Sequence, residues 1–396
     1  MKEFTALEYI KIDVASNYGL DKETWETRLD WFAKHEEDLD KLISSAEEPA
    51  LYFAGVQAYK DALEAIPSGY PVSFDATTSG LQILACLIGC KLSALRCNLI
   101  DTGSREDAYT SLYKDLCLLT GGNAKIERKD LKRAIMTSLY GSTKVPIQVF
   151  GEGELLAAFY QIMEEKIPGA WELNKALKEL WNPYALSHDW VMSDNFHVHV
   201  KVMGKEDHFV QFLDEPVEVT TSVNVGSKEG LSLPANITHS VDGYVVREIT
   251  RRCDFSKEQI TYIISLLNMK GKSDTRKKDK MVIKLWGHYK NSGMLSARIF
   301  DYLDEKNMGL VNSVVIGILI QSMPNKPFQV ISIHDCFRVL PAYGNDIRKQ
   351  YIQIMSEIAG SNLLSFIASQ IKGKILTVTK MGDISKDILN SEYALS

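Results

Sequence analysis

Two aspartates interrupt apolar runs that otherwise read as buried strands, and they place the tightest limit on the fold. The run from Phe328 to Ile333 delivers His334-Asp335, after which Cys336 to Leu340 resumes the apolar pattern. A polar pair between two strand-like segments predicts a hairpin with Asp335 at its bend. Tyr70 to Phe74 likewise reads as a short strand ending in Asp75, and Thr77, Thr78 and Ser79 offer N-caps for an apolar helix through Ile88. A carboxylate inside an apolar segment is costly unless it is paired or bound to a metal. Two that converge make a site for hard divalent cations. Either aspartate alone serves equally well as an N-cap or turn residue.

Between them lie Arg128, Lys132, Met136 and Tyr140, followed at once by Gly141. At roughly 100° per residue a step of four drifts only about 40° around a helix, so these side chains form one slanting stripe. The surrounding residues favour helix, and Gly141 suits its C-terminal stop. Two cations beside a thioether and a phenol suit a triphosphate carrying a base and sugar. A solvated helix face and a Met-Tyr core pair are the plainer readings of the same residues. The order aspartate, cationic helix, aspartate favours the ligand.

These segments carry a family resemblance. Phe74-Asp75-Ala76-Thr77-Thr78-Ser79-Gly80-Leu81-Gln82, the helix from Arg128 to Ser142, and Ile333-His334-Asp335-Cys336-Phe337 resemble motifs A, B and C of bacteriophage-type single-subunit RNA polymerases. Pro234 to Gly243, ending His239-Ser240-Val241-Asp242-Gly243, is similar to another of that family's segments. So are Glu8 to Lys22, Tyr52 to Gln57, and Gly382 to Ala394. The resemblance implies an α+β right-hand polymerase fold with an antiparallel palm sheet. It assigns residues 1–100 to the first part of the palm, 101–190 to the fingers, 191–229 to a specificity hairpin, and 230–396 to the second part of the palm. Between 243 and 333 the chain is longer than the family's usual connection.

The chemistry implied is template-directed transfer of ribonucleotides onto an RNA 3′ end. Asp75, Asp335 and the carbonyl of Ala76 would hold two Mg²⁺ ions; one would activate the 3′-hydroxyl and the other would take pyrophosphate charge. Arg128 and Lys132 would clamp the triphosphate, Lys132 would protonate the leaving pyrophosphate, and Lys11 would add a phosphate contact. Met136 lies on the same stripe. Tyr140 and His239 would select the ribose, and Gly80 stands where related DNA polymerases carry a steric-gate glutamate. Only 74 residues precede Asp75 and they already resemble palm, so the family's thumb and N-terminal domain are expected on a second subunit, as in heterodimeric phage enzymes. Partners on this reading are DNA template, RNA product, rNTPs and that subunit, in the cytoplasm of an infected bacterium.

Composition adds limits of its own. The formal net charge is −6, so a nucleic-acid surface must be local. The run Lys270 to Lys284 is one candidate, as a cationic loop that phosphate backbones attract without regard to sequence. The six cysteines show no paired metal-ligand spacing and read as reduced, and the alternating His197 and His199 lack partners at ligand spacing. The longest apolar run, Val314 to Ile320, falls far short of the ~18 residues of a membrane span. Residues 22–46 read as one amphipathic helix, and 196–225 alternate as strands with turns at Met203 to Asp207 and Asp214 to Val217. Two rival functions share these motifs. A DNA polymerase is disfavoured by Gly80 and His239, and a non-catalytic nucleic-acid-binding polymerase derivative by the intact catalytic set; Cys336 replaces the family's usual serine.

Overall fold

An aromatic layer forms ahead of the first strand in the computed structural model, which describes residues 1–122, 126–213, 215–228, 230, 232–268 and 279–396. Helix α1 (Ala6–Ala15) starts at a capping box, with the Glu8 carboxylate accepting from the Thr5 amide at 2.7 Å and the Thr5 hydroxyl oxygen accepting from the Glu8 amide. Helices α2 (Trp25–His35) and α3 (Pro49–Leu63) pack against it and bury Tyr9, Trp25, Phe32, Tyr52 and Tyr59. The single helix expected over 22–46 is divided: α2 stops at His35, and Leu39–Ser45 continues as a 3-10 turn. Three consecutive acids, Glu36, Glu37 and Asp38, fall at the negative pole of α2, where further negative charge is unfavourable.

Strand β1 (Val72–Asp75) leads into α4 (Ser79–Ile88), which is buried at every position from Gly80 to Ile88, and then α5 (Lys91–Arg96). A helix apolar on all sides belongs in a core. The expected threonine caps do not form. Thr78 occupies the N-cap position with φ 106°, outside the extended conformation from which a cap reaches back, and Thr77 donates instead to the carbonyls of Cys97 and Tyr393. A helical block follows: α6 (Ala108–Leu119), α7 (Arg128–Leu139), α8 (Lys144–Phe150), α9 (Glu154–Lys166) and α10 (Pro168–Lys178). Helix α7 buries Leu131, Ala134, Ile135 and Leu139, and it ends at Tyr140 before Gly141 at φ 95°.

Two hairpins come next. Strands β2 (Ser187–Val191) and β3 (His197–Lys201) pair antiparallel, and β4 (Met203–Phe212) pairs with β5 (Glu215–Asn224) in a long ladder exposed over nearly all its length. The turn expected at Met203 to Asp207 lies inside β4. The chain reverses at Leu213, whose φ is 49°, and Asp214 of the second expected turn is outside the described residues.

Helix α11 (Ser232–Cys253) carries the chain into α12 (Lys257–Asn268), α13 (Lys280–Ser292) and α14 (Ser313–Ser322), which gather a second apolar cluster around Ile263, Val282, Leu285, Ile299 and Ile316. Most of the cationic run, residues 270–278, lies outside the described residues. Strands β6 (Ile331–Ile333) and β7 (Cys336–Val339) form the expected hairpin, and β7 pairs with β1 in a sheet of order β1-β7-β6. Helices α15 (Gly344–Gly360), α16 (Leu363–Lys372) and α17 (Ser385–Ile388) complete the fold. The α+β expectation holds as helices around small antiparallel sheets.

An ionic cluster joins the second apolar cluster to the main core. Fully buried Glu248 accepts from Arg251 at 3.0 Å, from Arg252 at 3.4 Å, from the Ala297 amide at 3.0 Å and from the Ser296 hydroxyl. Arg252 also donates twice to Glu357 of α15, at 2.9 and 2.7 Å. Fully buried Asp194 accepts from Arg247 and Arg251 at 2.6 and 2.9 Å. Removing one member of a buried ion pair strands its partner, at about 3–5 kcal/mol. Glu248→Ala is therefore expected to lower unfolding stability by about that much in a denaturant titration. A loss under ~1 kcal/mol would show the cluster to be dispensable.

Candidate active site

A cleft of about 550 Å³ collects side chains from six separate stretches: Asp21 and Lys22 ahead of α2, the end of β1 with the start of α4, the loop before α6, the exposed face of α7, α11, and the β6–β7 bend. The sheet register makes it. Asp75 pairs with Cys336, so the residue beyond Cys336 in the bend is Asp335, and the Ala76 amide donates to the Asp335 carbonyl at 3.3 Å. His334 takes φ 55°, the left-handed backbone that a two-residue hairpin bend requires.

The carboxylates repel one another. Burial, then the charge of Asp335, pushes the Asp75 carboxyl up to about 6. Asp242 on α11 is pushed up to about 6 by the same two causes in the same order. Asp242 was missed as a site residue in the sequence, although its spacing of three from His239 on a helix places both on one face. His239 itself sits on α11 and not on a loop, and burial holds its pKa below the usual histidine value, which keeps it neutral at pH 7.

The stripe on α7 faces the cleft, with Arg128, Lys132, Met136 and Tyr140 all in its wall. Arg128 is engaged: it is ion-paired to Asp107 and donates through Nε to Thr110 at 2.6 Å. The Lys132 ammonium lies 5.2 Å from the ring centre of Tyr109. The rings of Tyr140 and His239 are 4.8 Å apart. Burial, then Asp242 and Asp335, pushes the Tyr140 phenol up to about 12, so it remains a donor. A β-carbon at Gly80 would stand 2.7 Å from the Tyr140 hydroxyl; a residue without a side chain is what lets this tyrosine occupy its place.

Lys11 is not in the cleft. Its ammonium lies over the rings of Phe32 and Tyr59, at 5.2 and 5.4 Å, inside the aromatic layer that α1 makes with α2 and α3. Lys22, from the same quoted segment, lines the cleft instead, and nothing in local periodicity separates the two lysines. Arg105, Asp107 and Tyr109 were also missed. His199 contacts Asp189 away from the cleft, and among the described residues no group of three or more His, Cys, Asp or Glu is placed to hold a metal. All six cysteines are free, and no helix among the described residues is long and apolar enough to cross a membrane.

Asp75, Asp335 and the Ala76 carbonyl fit Mg²⁺ by their chemistry: hard oxygens and like charges that a cation relieves. The Ala76 carbonyl already accepts from the Thr78 amide at 2.8 Å, and a second lone pair remains for an ion.

The raised carboxyl pKa values predict a direction with pH. Between about pH 4 and 6 the folded, metal-free protein retains protons that the unfolded chain, near 3.9, has released, so stability falls as pH rises through that window. Asp75→Asn is expected to raise the melting temperature of the metal-free protein at pH 7.5, with the difference shrinking toward pH 4. Because Asp75 opens on the cleft, water there moderates the effect. A melting difference that does not change with pH would contradict the repulsion inferred between these carboxylates.

Residues 3–167 match the family model described as DNA-dependent RNA polymerase. A probable DNA-directed RNA polymerase of Neurospora crassa is 29% identical over 181 residues, covering 39% of this chain and 19% of the relative. DNA-directed RNA polymerase 1, mitochondrial, of Arabidopsis thaliana is 28% identical over 174 residues, 35% of this chain and 18% of the relative. The DNA-directed RNA polymerase of Pseudomonas phage phiKMV is 26% identical over 172 residues, 35% of this chain and 21% of the relative. The chain thus spans about a fifth of the length of these relatives. The similarity is to nucleotidyltransferases of phage and mitochondrial type.

Proposed function

We propose that this chain carries the catalytic centre of a DNA-directed RNA polymerase, acting in phage transcription. One observation carries the reading. The family match ends at residue 167, yet His239, Asp242 and Asp335 lie beyond it and line one cleft with Asp75, Lys132 and Tyr140 from within it. Helix α7 and its neighbours from 101 to 190 would be the fingers, residues 1–100 and 230–396 the palm, and the exposed hairpin within 191–229 the part that meets promoter DNA. DNA template, RNA product, rNTPs and a second polymerase subunit would be its partners, in the cytoplasm of the infected host.

Asp75, Asp335 and the Ala76 carbonyl would hold two Mg²⁺ ions, which supply nucleophile activation and charge neutralisation when bound. The remaining work falls to the chain itself. Lys132 binds the triphosphate and donates the proton to the departing pyrophosphate oxygen. Arg128 adds a planar fork for phosphate oxygens once it leaves Asp107. Tyr140 donates from its phenol beside neutral His239, and the absence of a side chain at Gly80 leaves the sugar pocket open to a ribose hydroxyl. A site built to bond that hydroxyl leaves polar groups unpaired when a deoxynucleotide enters.

Extension of an RNA primer on single-stranded DNA tests the reading. Asp75→Asn and Asp335→Asn are each expected to abolish Mg²⁺-dependent extension while the circular dichroism spectrum stays native. Near-normal extension by either purified variant, assembled with the second subunit, would sink the assignment, and binding of nucleic acid without extension by the native chain so assembled would favour a non-catalytic subunit.

Sugar choice is a separate test. Tyr140→Phe is expected to raise the use of dNTP relative to rNTP by about 10-fold in kcat/KM, the worth of one lost hydrogen bond. An unchanged ratio would remove Tyr140 from that role.

A further inference from the structure

Arg105 stands in the cleft wall with its charge unclaimed. Glu106 and Asp107 follow it in the chain, and neither takes it. Glu106 accepts from Thr102 and Ser104 at 3.4 and 3.3 Å, and Asp107 is held by Thr110 and Arg128. The Arg105 Nε donates to the Ser396 hydroxyl at 3.2 Å. Among the described residues its two terminal nitrogens have no hydrogen-bond partner, and no carboxylate lies within ion-pair distance. Burial pulls its pKa down, and Asp21, Asp107 and Asp75 hold it up from a distance. Arg105 offsets part of the rise at Asp75, and both residues line the same cleft. A guanidinium fixed at Nε, with its outer fork free and part of its hydration removed, is a built receptor for a dianionic oxygen pair.

We propose that Arg105 is a phosphate-binding residue of this cleft: its outer nitrogens take non-bridging oxygens of the incoming triphosphate and hold the pyrophosphate that leaves. The assignment rests on the polymerase reading for the identity of the ligand. It also gives the cleft cations from two elements, Arg128 and Lys132 on α7 and Arg105 on the loop before α6. Arg128 must first break its pair with Asp107, whereas Arg105 needs no rearrangement. The first phosphate contact therefore falls to Arg105 and Lys132.

Calorimetric titration with inorganic pyrophosphate and Mg²⁺ tests this on the full chain. Arg105→Ala is expected to weaken binding about 10-fold or more, as the loss of a charge-assisted bond does. Arg105→Lys, which keeps the charge without the fork, should recover part of the loss. Ser396→Ala removes the Nε anchor only and should change affinity by less than about 3-fold. Melting temperature is read alongside. Unchanged pyrophosphate affinity in both Arg105 variants overturns the proposal, as does a Ser396→Ala loss equal to that of Arg105→Ala, or a native chain that binds no pyrophosphate. The two readings fail separately: pyrophosphate binding lost with Arg105, in an enzyme assembled with its second subunit that extends no primer, would sink the polymerase, whereas extension with Arg105-independent binding would sink only this residue's role.

Discussion

The antiparallel pairing of β1 with β7 is the constraint on which the rest of the site depends. Register is strict because a slip of one residue would turn Phe74 and Phe337, both buried, toward the opposite face. Holding those two rings in the core fixes Asp75 at the strand end and Asp335 at the bend beside it. The apolar side of the sheet therefore sets the separation of two acids that disfavour each other. Burial, and then this repulsion, raises the Asp75 pKa at a cost in the metal-free protein. Hydrophobic packing supplies the restraint, and a divalent cation would remove the cost.

A second layer of the site follows from α7. Its buried face docks on the helical block, and this leaves the charged stripe to face the carboxylates. Arg128 is tied to Asp107, the N-cap of α6, so one cation of the stripe is neutralised until something more anionic displaces it. Lys132 rests against Tyr109 and has no ion pair among the described residues. The wall thus holds one cation latched and others available, an arrangement that would suit the phosphate chain of the proposed substrate.

How much of this the sequence disclosed depends on the range of the interaction. The β6–β7 hairpin, the strand into Asp75 and the α7 stripe were all legible, because periodicity and bend residues are local signals. The break after His35 was not, since the acids Glu36 to Asp38 compete with an apolar pattern that continues through Leu39. Lys11 and Lys22 could not be told apart, because what separates them is tertiary: one lies under two aromatic rings supplied by other helices. Asp242 was within reach through its helical spacing from His239, had that segment been read as helix. The second apolar cluster between 243 and 333 escaped notice because its short helices and 3-10 turns carry no strong period.

Helix α11 connects that cluster to the cleft. Its N-terminal half presents His239 and Asp242, and its C-terminal half presents Arg247, Glu248, Arg251 and Arg252 to the buried ionic cluster. A helix transmits a shift at one end to the other because its backbone hydrogen bonds are continuous. Glu248 is held by the Ser296 hydroxyl and Ala297 amide, so the stretch that carries the second apolar cluster grips the helix that bears His239 and Asp242. Charged groups suit this task better than apolar ones, for their bonds fix rotation about the helix axis as well as distance. The placement of His239 against Tyr140 is then a property of the second cluster as much as of the cleft.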